Sequence, residues 1–439
     1  MIEGGTVATS IESRTIRKLR LKLLPFLFLL YVVCYLDRTN ISIASLTMNE
    51  DLGITSGQFG LVFGIFFVGY FLFEIPSNLL LHRIGARIWL ARILLSWGAV
   101  ATLTGFARNV HHLYILRFLL GIAEAGYFPG VCLYLTYWFP KSEQARALAL
   151  FLVGLPVCNI IGAPLSGYVL DHVHWLGVAS WRWLLILQGI PAIVLGFLTY
   201  AVLPSWPHEA AFLTTEEKEW IHAELRREDL EAGRPRDHSL RDAFTGRVWH
   251  LVLIYLGMMV GRYTISSWAP QIVKSLSAAS SNSFVGVLLT IPNLVGLAAM
   301  ILISRSSDRR LERKYHVAIP AATAACALGV LSVTHSPFVA VALLSLVEIG
   351  LMGFLAPFWA MLSEFLSGSA IAAGFALINS VGNLGGFVGP VVVGSIYQRT
   401  GSLPRGLIFT AACVLLSFVL MFYLPKRAAF SRVPTTKAG

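Results

Sequence analysis

Twelve runs of about 20 apolar residues, separated by short polar breaks, constrain this chain more than any other feature. A helix of that length crosses the hydrocarbon core, and in lipid a helix satisfies its own backbone hydrogen bonds. The expected spans are 23–46, 58–81, 88–107, 112–138, 147–170 and 182–204, then 248–272, 282–304, 316–334, 338–362, 370–397 and 405–424. The fold class read from this is an all-α membrane protein of twelve transmembrane helices in two pseudo-symmetric six-helix bundles. Only 13% of the 439 residues are charged, against about 25% in soluble domains. That is too little to coat a soluble enzyme, and a 56% hydrophobic content excludes a disordered chain. The domain plan is an N-tail (1–22), a first bundle (23–204), a linker (205–247), a second bundle (248–424) and a C-tail (425–439). The polar, basic start, followed directly by a full-length span, reads as no cleavable signal peptide.

Charge distribution sets the expected orientation. With both termini cytoplasmic, the inside segments hold 25 Lys and Arg residues, and the outside loops hold four: Arg108, Lys274, Arg399 and Arg405. Such an asymmetry places both termini in the cytoplasm and accounts for the net charge of +11 without invoking nucleic acid. In the linker, Pro204 and Pro207 stop span six, and Thr214-x-x-Glu217 reads as a capping box opening a short amphipathic helix through Trp220, Ile221 and Leu225. Two readings stay open for it, an interfacial helix on the cytoplasmic face or a plain tether between the bundles.

Ionisable groups in mid-bilayer are expensive and must face a partner or a water-filled cavity. They are Asp37 and Arg38 in span one, Arg117 and Glu124 in span four, Arg262 in span seven and Glu348 in span ten; Glu74, beside Pro76 near the inner end of span two, reads as interfacial. Arg117 and Glu124 are seven residues apart and return to within about 20° of one helix face, whereas adjacent Asp37 and Arg38 point about 100° apart. One of the latter pair can therefore face the lumen and the other a neighbouring helix. Carboxylates exposed alternately to water and to a closed site can take up and release protons; the competing reading is structural ion pairs that lock helices together.

Arg262 stands about as deep in span seven as Arg38 does in span one, so in parallel repeats the two face one central site. Two guanidinium groups suit a dicarboxylate, or a monocarboxylate with a second polar group; the alternative is that Arg262 pairs only with Glu348. Asn379 and Asn383 lie one above the other on span eleven, either bridging helices or binding a polar ligand. Tyr35, Tyr70, Tyr127, Tyr263 and Trp359 are candidate pocket walls, although membrane helices are aromatic-rich in any case. Gly60-x-x-x-Gly64 and Gly382-x-x-x-Gly386 allow close helix contact. The five cysteines lie in apolar runs without metal-ligand spacing and read as small buried side chains.

These motifs resemble the major facilitator superfamily. Asn78-x-x-x-His82-Arg83-Ile84-Gly85-Ala86-Arg87 resembles its G-x-x-x-D-R-x-G-R-R loop, with the leading Gly and the Asp replaced, and Ser307-Asp308-Arg309 is a second copy lacking the following glycine. Tyr35-Leu36-Asp37-Arg38-Thr39-Asn40, Arg117 to Ala125, and Asn379 to Gly386 resemble the anion:cation symporters, carriers of tartrate, phthalate, hydroxyphenylacetate and sugar acids. The resemblance implies proton coupling through Asp37 and Glu124, with Arg117 beside the second. It also implies anion contact by Arg38, Tyr70 and Asn383. Leu155 stands where sugar-acid carriers have a hydroxyl-binding glutamine, which disfavours a polyhydroxylated substrate. Arg262 and Glu348 fall outside the family pattern and are candidates for setting substrate choice.

The functional expectation is proton-coupled symport of an organic carboxylate, aromatic or a small mono- or dicarboxylic acid, by alternating access in a bacterial cell membrane. Asp37, Glu124 and Arg117 are the coupling group, and Arg38, Tyr70, Arg262, Asn379, Asn383, Tyr35, Trp359 and Glu348 the substrate group. The proton is the coupling ion, no cofactor or nucleic acid is expected, and a monomer is the expected state in the bilayer. Anion exchange, sodium coupling of a sugar acid and a membrane anion sensor are the alternatives. The chain carries no G-x-x-x-x-G-K loop, no H-E-x-x-H and no G-x-S-x-G motif, which argues against ATP-driven or hydrolytic chemistry.

Overall fold

A computed structural model of the chain describes residues 3–231, 245–277, 280–365 and 369–424. The expected C-tail and linker residues 232–244 lie outside the described residues. Among the described residues every regular element is helical, and twelve stretches are long and apolar enough to cross a membrane. In the first half, α1 (Glu3–Lys22) leads into α2 (Leu24–Asp51), followed by α3 (Ser56–Ile84) and α4 (Ala86–Thr104). Span four is α5 (Val110–Glu124) with α6 (Tyr127–Thr136), span five α7 (Lys141–Leu152) with α8 (Gly154–His172), and span six α9 (Ser180–Val202). The linker helix α10 (Thr215–Glu231) precedes the second half. That half runs α11 (Gly246–Leu276), α12 (Asn282–Arg310), α13 (Lys314–Leu331), α14 (Pro337–Gly353) with α15 (Leu355–Phe365), α16 (Ser369–Asn383) with α17 (Gly385–Thr400), and α18 (Leu403–Phe422).

Helices overrun the apolar runs because backbone hydrogen bonding continues until a cap or turn residue stops it. Residues 3–22, read from their polarity as a tail, are helical in α1. Thr55 and Gln58 close a reciprocal capping box at the start of α3, and Ser281 accepts the Phe284 backbone N–H at the start of α12. Gly85 ends α3 at φ +94°. In the matching loop of the second half, which lacks the glycine, Leu311 takes φ +51°, a left-handed conformation uncommon for a branched side chain.

Four spans are broken, and the breaks pair across the halves: spans four and ten at Ala125-Gly126 and Phe354, spans five and eleven at Val153 and Leu384. Gly126 has φ +84° and a Cβ there would lie 2.4 Å from the Ser77 hydroxyl, so span four can bend at that point only with glycine. The halves meet where α3 packs on α17 and α8 on α12. A Cβ on Gly60 would sit 2.3 Å from the Pro390 carbonyl oxygen, and one on Gly286 would sit 2.4 Å from that of Ala163. These helices approach backbone to backbone. We call the end of the molecule carrying α10 and the loop at Gly85 the basic end, and the other the opposite end.

The capping box of the linker forms: Glu217 accepts the Thr214 backbone N–H at 2.9 Å and its own N–H approaches the Thr214 hydroxyl at 3.4 Å. Glu217 is buried, accepting from Arg14 at 2.9 Å and Lys18 at 2.8 Å. Ile221 is buried beneath α10, and Glu228 accepts the backbone N–H of Lys141. The helix is thus docked on the first half through α1 and α7, which a free tether would not be.

Candidate functional site

The charged residues of the first half gather on α2 and α5 around one arginine. Arg38 donates from Nε to Glu124, whose carboxylate also accepts the Cys34 thiol at 3.1 Å. The guanidinium lies over the rings of Tyr70 (4.9 Å), Tyr35 (5.2 Å) and Phe66 (5.4 Å), which hold it by cation–π attraction. Glu124 is the last residue of α5 and is 0% exposed; its Oε2 is buried without a hydrogen-bond partner among the described residues. The Ala125-Gly126 break follows at once, so Glu124 sits where span four is least constrained by its own helix.

Asp37, 1% exposed, turns away from Arg38, accepting the Trp97 indole N–H at 2.6 Å and the Asn40 amide at 3.2 Å. The 100° separation on α2 thus divides the pair as helix geometry requires: Arg38 lines the central cavity and Asp37 faces α4. Arg117, 2% exposed, also lines the cavity. It lies 5.2 Å over Phe66, its Nε is 3.4 Å from the Val62 carbonyl, and among the described residues it forms no salt bridge. It interacts electrostatically with both Glu124 and Asp37.

The second half contributes less, and more loosely. Arg262 on α11 and Glu348 on α14 stand 3.8 Å apart, beyond hydrogen-bond reach. Arg262 donates to the Met352 sulfur at 3.3 Å, a weak acceptor, and the Glu348 Oε2 is buried without a hydrogen-bond partner among the described residues. The Tyr263 hydroxyl donates to Asn383, the last residue of α16, at 3.1 Å. Tyr35, Arg38, Arg117, Arg262, Tyr263 and Glu348 share one small cavity of about 90 Å³ between the halves. Asn159 and Asn293 add amides to its wall.

The remaining candidates lie away from that wall. Tyr70 supports Arg38 from behind. Trp359 packs on Tyr255 and Phe375, in an aromatic cluster of the second half. Asn379 reaches neither Asn383 nor the cavity. It donates to Glu74 at 3.1 Å, so the two asparagines, one face apart by a single turn, serve different partners. The sequence reading missed Trp97, Asn40 and Cys34 as the partners of the coupling acids. An indole, an amide and a thiol within apolar helices are weak signals by themselves.

Chemically, three guanidinium groups face one cavity, with the Glu124 carboxylate packed behind Arg38 and Glu348 on the wall beside Arg262. Such a site attracts a small anion and holds acids whose charge depends on where the arginines point.

Residues 27–390 match the Major Facilitator Superfamily. A putative tartrate transporter of Agrobacterium vitis is 43% identical over 97% of this chain and 94% of its own length. A putative metabolite transport protein, NicT, of Pseudomonas putida is 38% identical over 93% and 94%. A bacterial homolog of the human lysosomal transporter Spinster, solved inward-facing and unoccupied, superposes with a TM-score of 0.77 at 16% identity, covering 92% of this chain and 96% of that one. Twelve helices in two six-helix halves around a midplane cavity, and a family match spanning most of the sequence, make this a multi-pass membrane transporter rather than an enzyme: the chain belongs to the major facilitator superfamily.

Proposed function

We propose that the protein is a proton-coupled symporter of a small organic acid, importing it across a bacterial cell membrane with the basic end in the cytoplasm. One observation carries this reading: the arginine that faces the cavity, Arg38, is the counter-ion of a fully buried acid, Glu124. A carboxylate ligand and Glu124 compete for the same guanidinium. When the ligand takes the Arg38 donors, Glu124 is left buried with a charge and without its hydrogen-bonded cation, Arg117 acting on it only without a salt bridge, which is unfavourable. Taking a proton onto a Glu124 oxygen removes that penalty, so anion binding and proton uptake favour each other. Asp37, held by Trp97 and Asn40 and sensing Arg117, is a second proton site on the same side.

Arg262 supports a ligand with a second anionic or polar end. Its present partners, a thioether and a carboxylate beyond hydrogen-bond distance, leave donors available to a ligand. Small dicarboxylates are accordingly the first substrates to try, in keeping with the names of the tartrate transporters it resembles.

Proteoliposomes decide the coupling. With tartrate and a panel of mono- and dicarboxylates outside, an inward proton gradient without sodium should drive accumulation of at least one acid. Accumulation that ignores the gradient and follows sodium or a counter-anion would replace symport by sodium coupling or exchange.

A further inference from the structure

Glu74 lies on α3 one turn beyond Tyr70 and is 4% exposed. Sequence position beside Pro76 suggested an interfacial residue, yet both its oxygens are taken by the other half of the protein. Oε1 accepts the Asn379 amide at 3.1 Å and Oε2 the Ser380 hydroxyl at 2.6 Å, both from α16. A second carboxylate does the same at the opposite end. Asp171 of α8 accepts the backbone N–H groups of Asn282 and Ser283, the Asn282 amide at 2.8 Å and the Ser283 hydroxyl at 2.6 Å, at the start of α12. Each end of the interface is therefore closed by an acid of the first half gripping hydroxyl and amide donors of the second. Alternating access requires the two grips to open in turn.

The two grips differ in what surrounds them. Asp171 binds four donors, two of them backbone, at the end of a span. Glu74 binds two side-chain donors within the helical layer, on a segment, α16, that carries no ionisable residue. The charged group in electrostatic contact with Glu74 is Arg38 of α2; Tyr70 of its own helix and Tyr255 of α11 are the other titratable groups facing it. An ionised carboxylate only accepts hydrogen bonds, and charge-assisted bonds are about twice as strong as neutral ones. A proton on Glu74 turns one oxygen into a donor, which the Asn379 amide nitrogen cannot accept, and removes the charge assistance from the other bond.

We propose that Glu74 is a proton-sensitive clasp on the basic-end gate: ionised, it holds α16 against α3, and on taking up a proton it releases α16 and opens the cavity at that end. Arg38 connects the clasp to the site, because the same cation faces Glu124, Glu74 and any bound anion. An anion that neutralises Arg38 favours a neutral Glu74, so a loaded cavity opens toward the basic end. This role rests on the transport reading for its purpose, but its test needs no substrate.

Hydrogen–deuterium exchange of residues 374–383 in the full-length protein in nanodiscs reads the clasp directly. After correction for the intrinsic pH dependence of exchange, the wild type should exchange about tenfold faster at pH 5 than at pH 7.5. Glu74→Gln should exchange at the fast rate at both pH values. Ser380→Ala, which keeps the acid, should be faster than wild type at pH 7.5 and still accelerate on acidification. Arg38→Gln should move the midpoint of the response to higher pH. An equal pH response in wild type and Glu74→Gln, or Ser380→Ala exchanging no faster than wild type at pH 7.5, overturns the clasp, and an unmoved midpoint in Arg38→Gln overturns its link to the site. Loss of gradient-driven uptake with an intact exchange response would instead strike the symport reading alone.

Discussion

The two halves of this protein place charge at the same depth and bind it differently. In the first half, Arg38 is fixed by Glu124 and three aromatic rings, and Asp37 by an indole and an amide. In the second, Arg262 and Glu348 face each other across 3.8 Å with few other partners. A tight buried pair whose acid is hydrogen-bonded to one cation is pushed toward protonation when that cation is taken, whereas a loose pair on a cavity wall can admit a ligand with little rearrangement. On the symport we propose, this difference divides labour: the first half couples protons, and the second half tunes which anion fits.

The largest effect expected from this division is on coupling. Glu124→Gln with Asp37→Asn should abolish gradient-driven accumulation while leaving exchange of unlabelled for labelled substrate, and Glu348→Gln should leave accumulation in place. Concentrative uptake by the double variant, measured in proteoliposomes, would break the comparison. Next in size is affinity. Arg38→Ala should weaken binding by about 2–3 kcal/mol, the upper range for hydrogen bonds to charged groups. Arg262→Ala should cost about 1–2 kcal/mol for dicarboxylates and little for monocarboxylates, as read by titration calorimetry on a matched pair of acids. Equal losses for both acids in Arg262→Ala would remove the second half's role in selection.

A smaller effect is expected at Trp97. Trp97→Phe leaves Asp37 with the Asn40 amide as its described hydrogen-bond donor and should destabilise the first half by about 1–3 kcal/mol, seen as a lower melting temperature. The smallest concerns the basic end. Burial pushes the Glu217 carboxyl up, but the Lys18 ammonium, the Thr214 N–H and the charge of Arg14 more than offset this and hold it below the usual range. A carboxyl depressed in the folded state stabilises above its unfolded pKa, about 4.3, and that contribution disappears as pH falls through its folded value. Trp220 fluorescence should therefore report α10 loosening only below about pH 4.3, and not at all differently between pH 6 and 8. In the second half, Glu312 is set the same way: burial raises it, and the bonds from Tyr315 and His316 more than offset this and lower it.

Much of this was legible in the residues. The spans follow from apolar length, and the membrane charges stand out because lipid tolerates so few. The different facing of Asp37 and Arg38, about 100° apart, follows from helix geometry, and the structure shows it. Arg117 and Glu124 illustrate the limit. Their spacing puts them on one face, yet only Arg117 reaches the cavity, because Glu124 falls where α5 ends and is drawn to Arg38 on a different helix. Glu74 illustrates it further. Nothing within α3 indicates that a residue 305 positions away supplies its donor.

By itself, then, the sequence determined the solvent of the chain, the number and approximate positions of its spans, the repetition of its halves and the short inventory of membrane charges. These are local or compositional properties, fixed by hydrophobic length and helical period. Which acid meets which cation, which asparagine meets Tyr263 and which meets Glu74, and how far Arg262 stands from Glu348 were decided only by the packing of helices distant in sequence. Those pairings depend on interhelical distances of a few ångströms, set by glycines such as Gly60 and Gly286 that let one backbone rest on another.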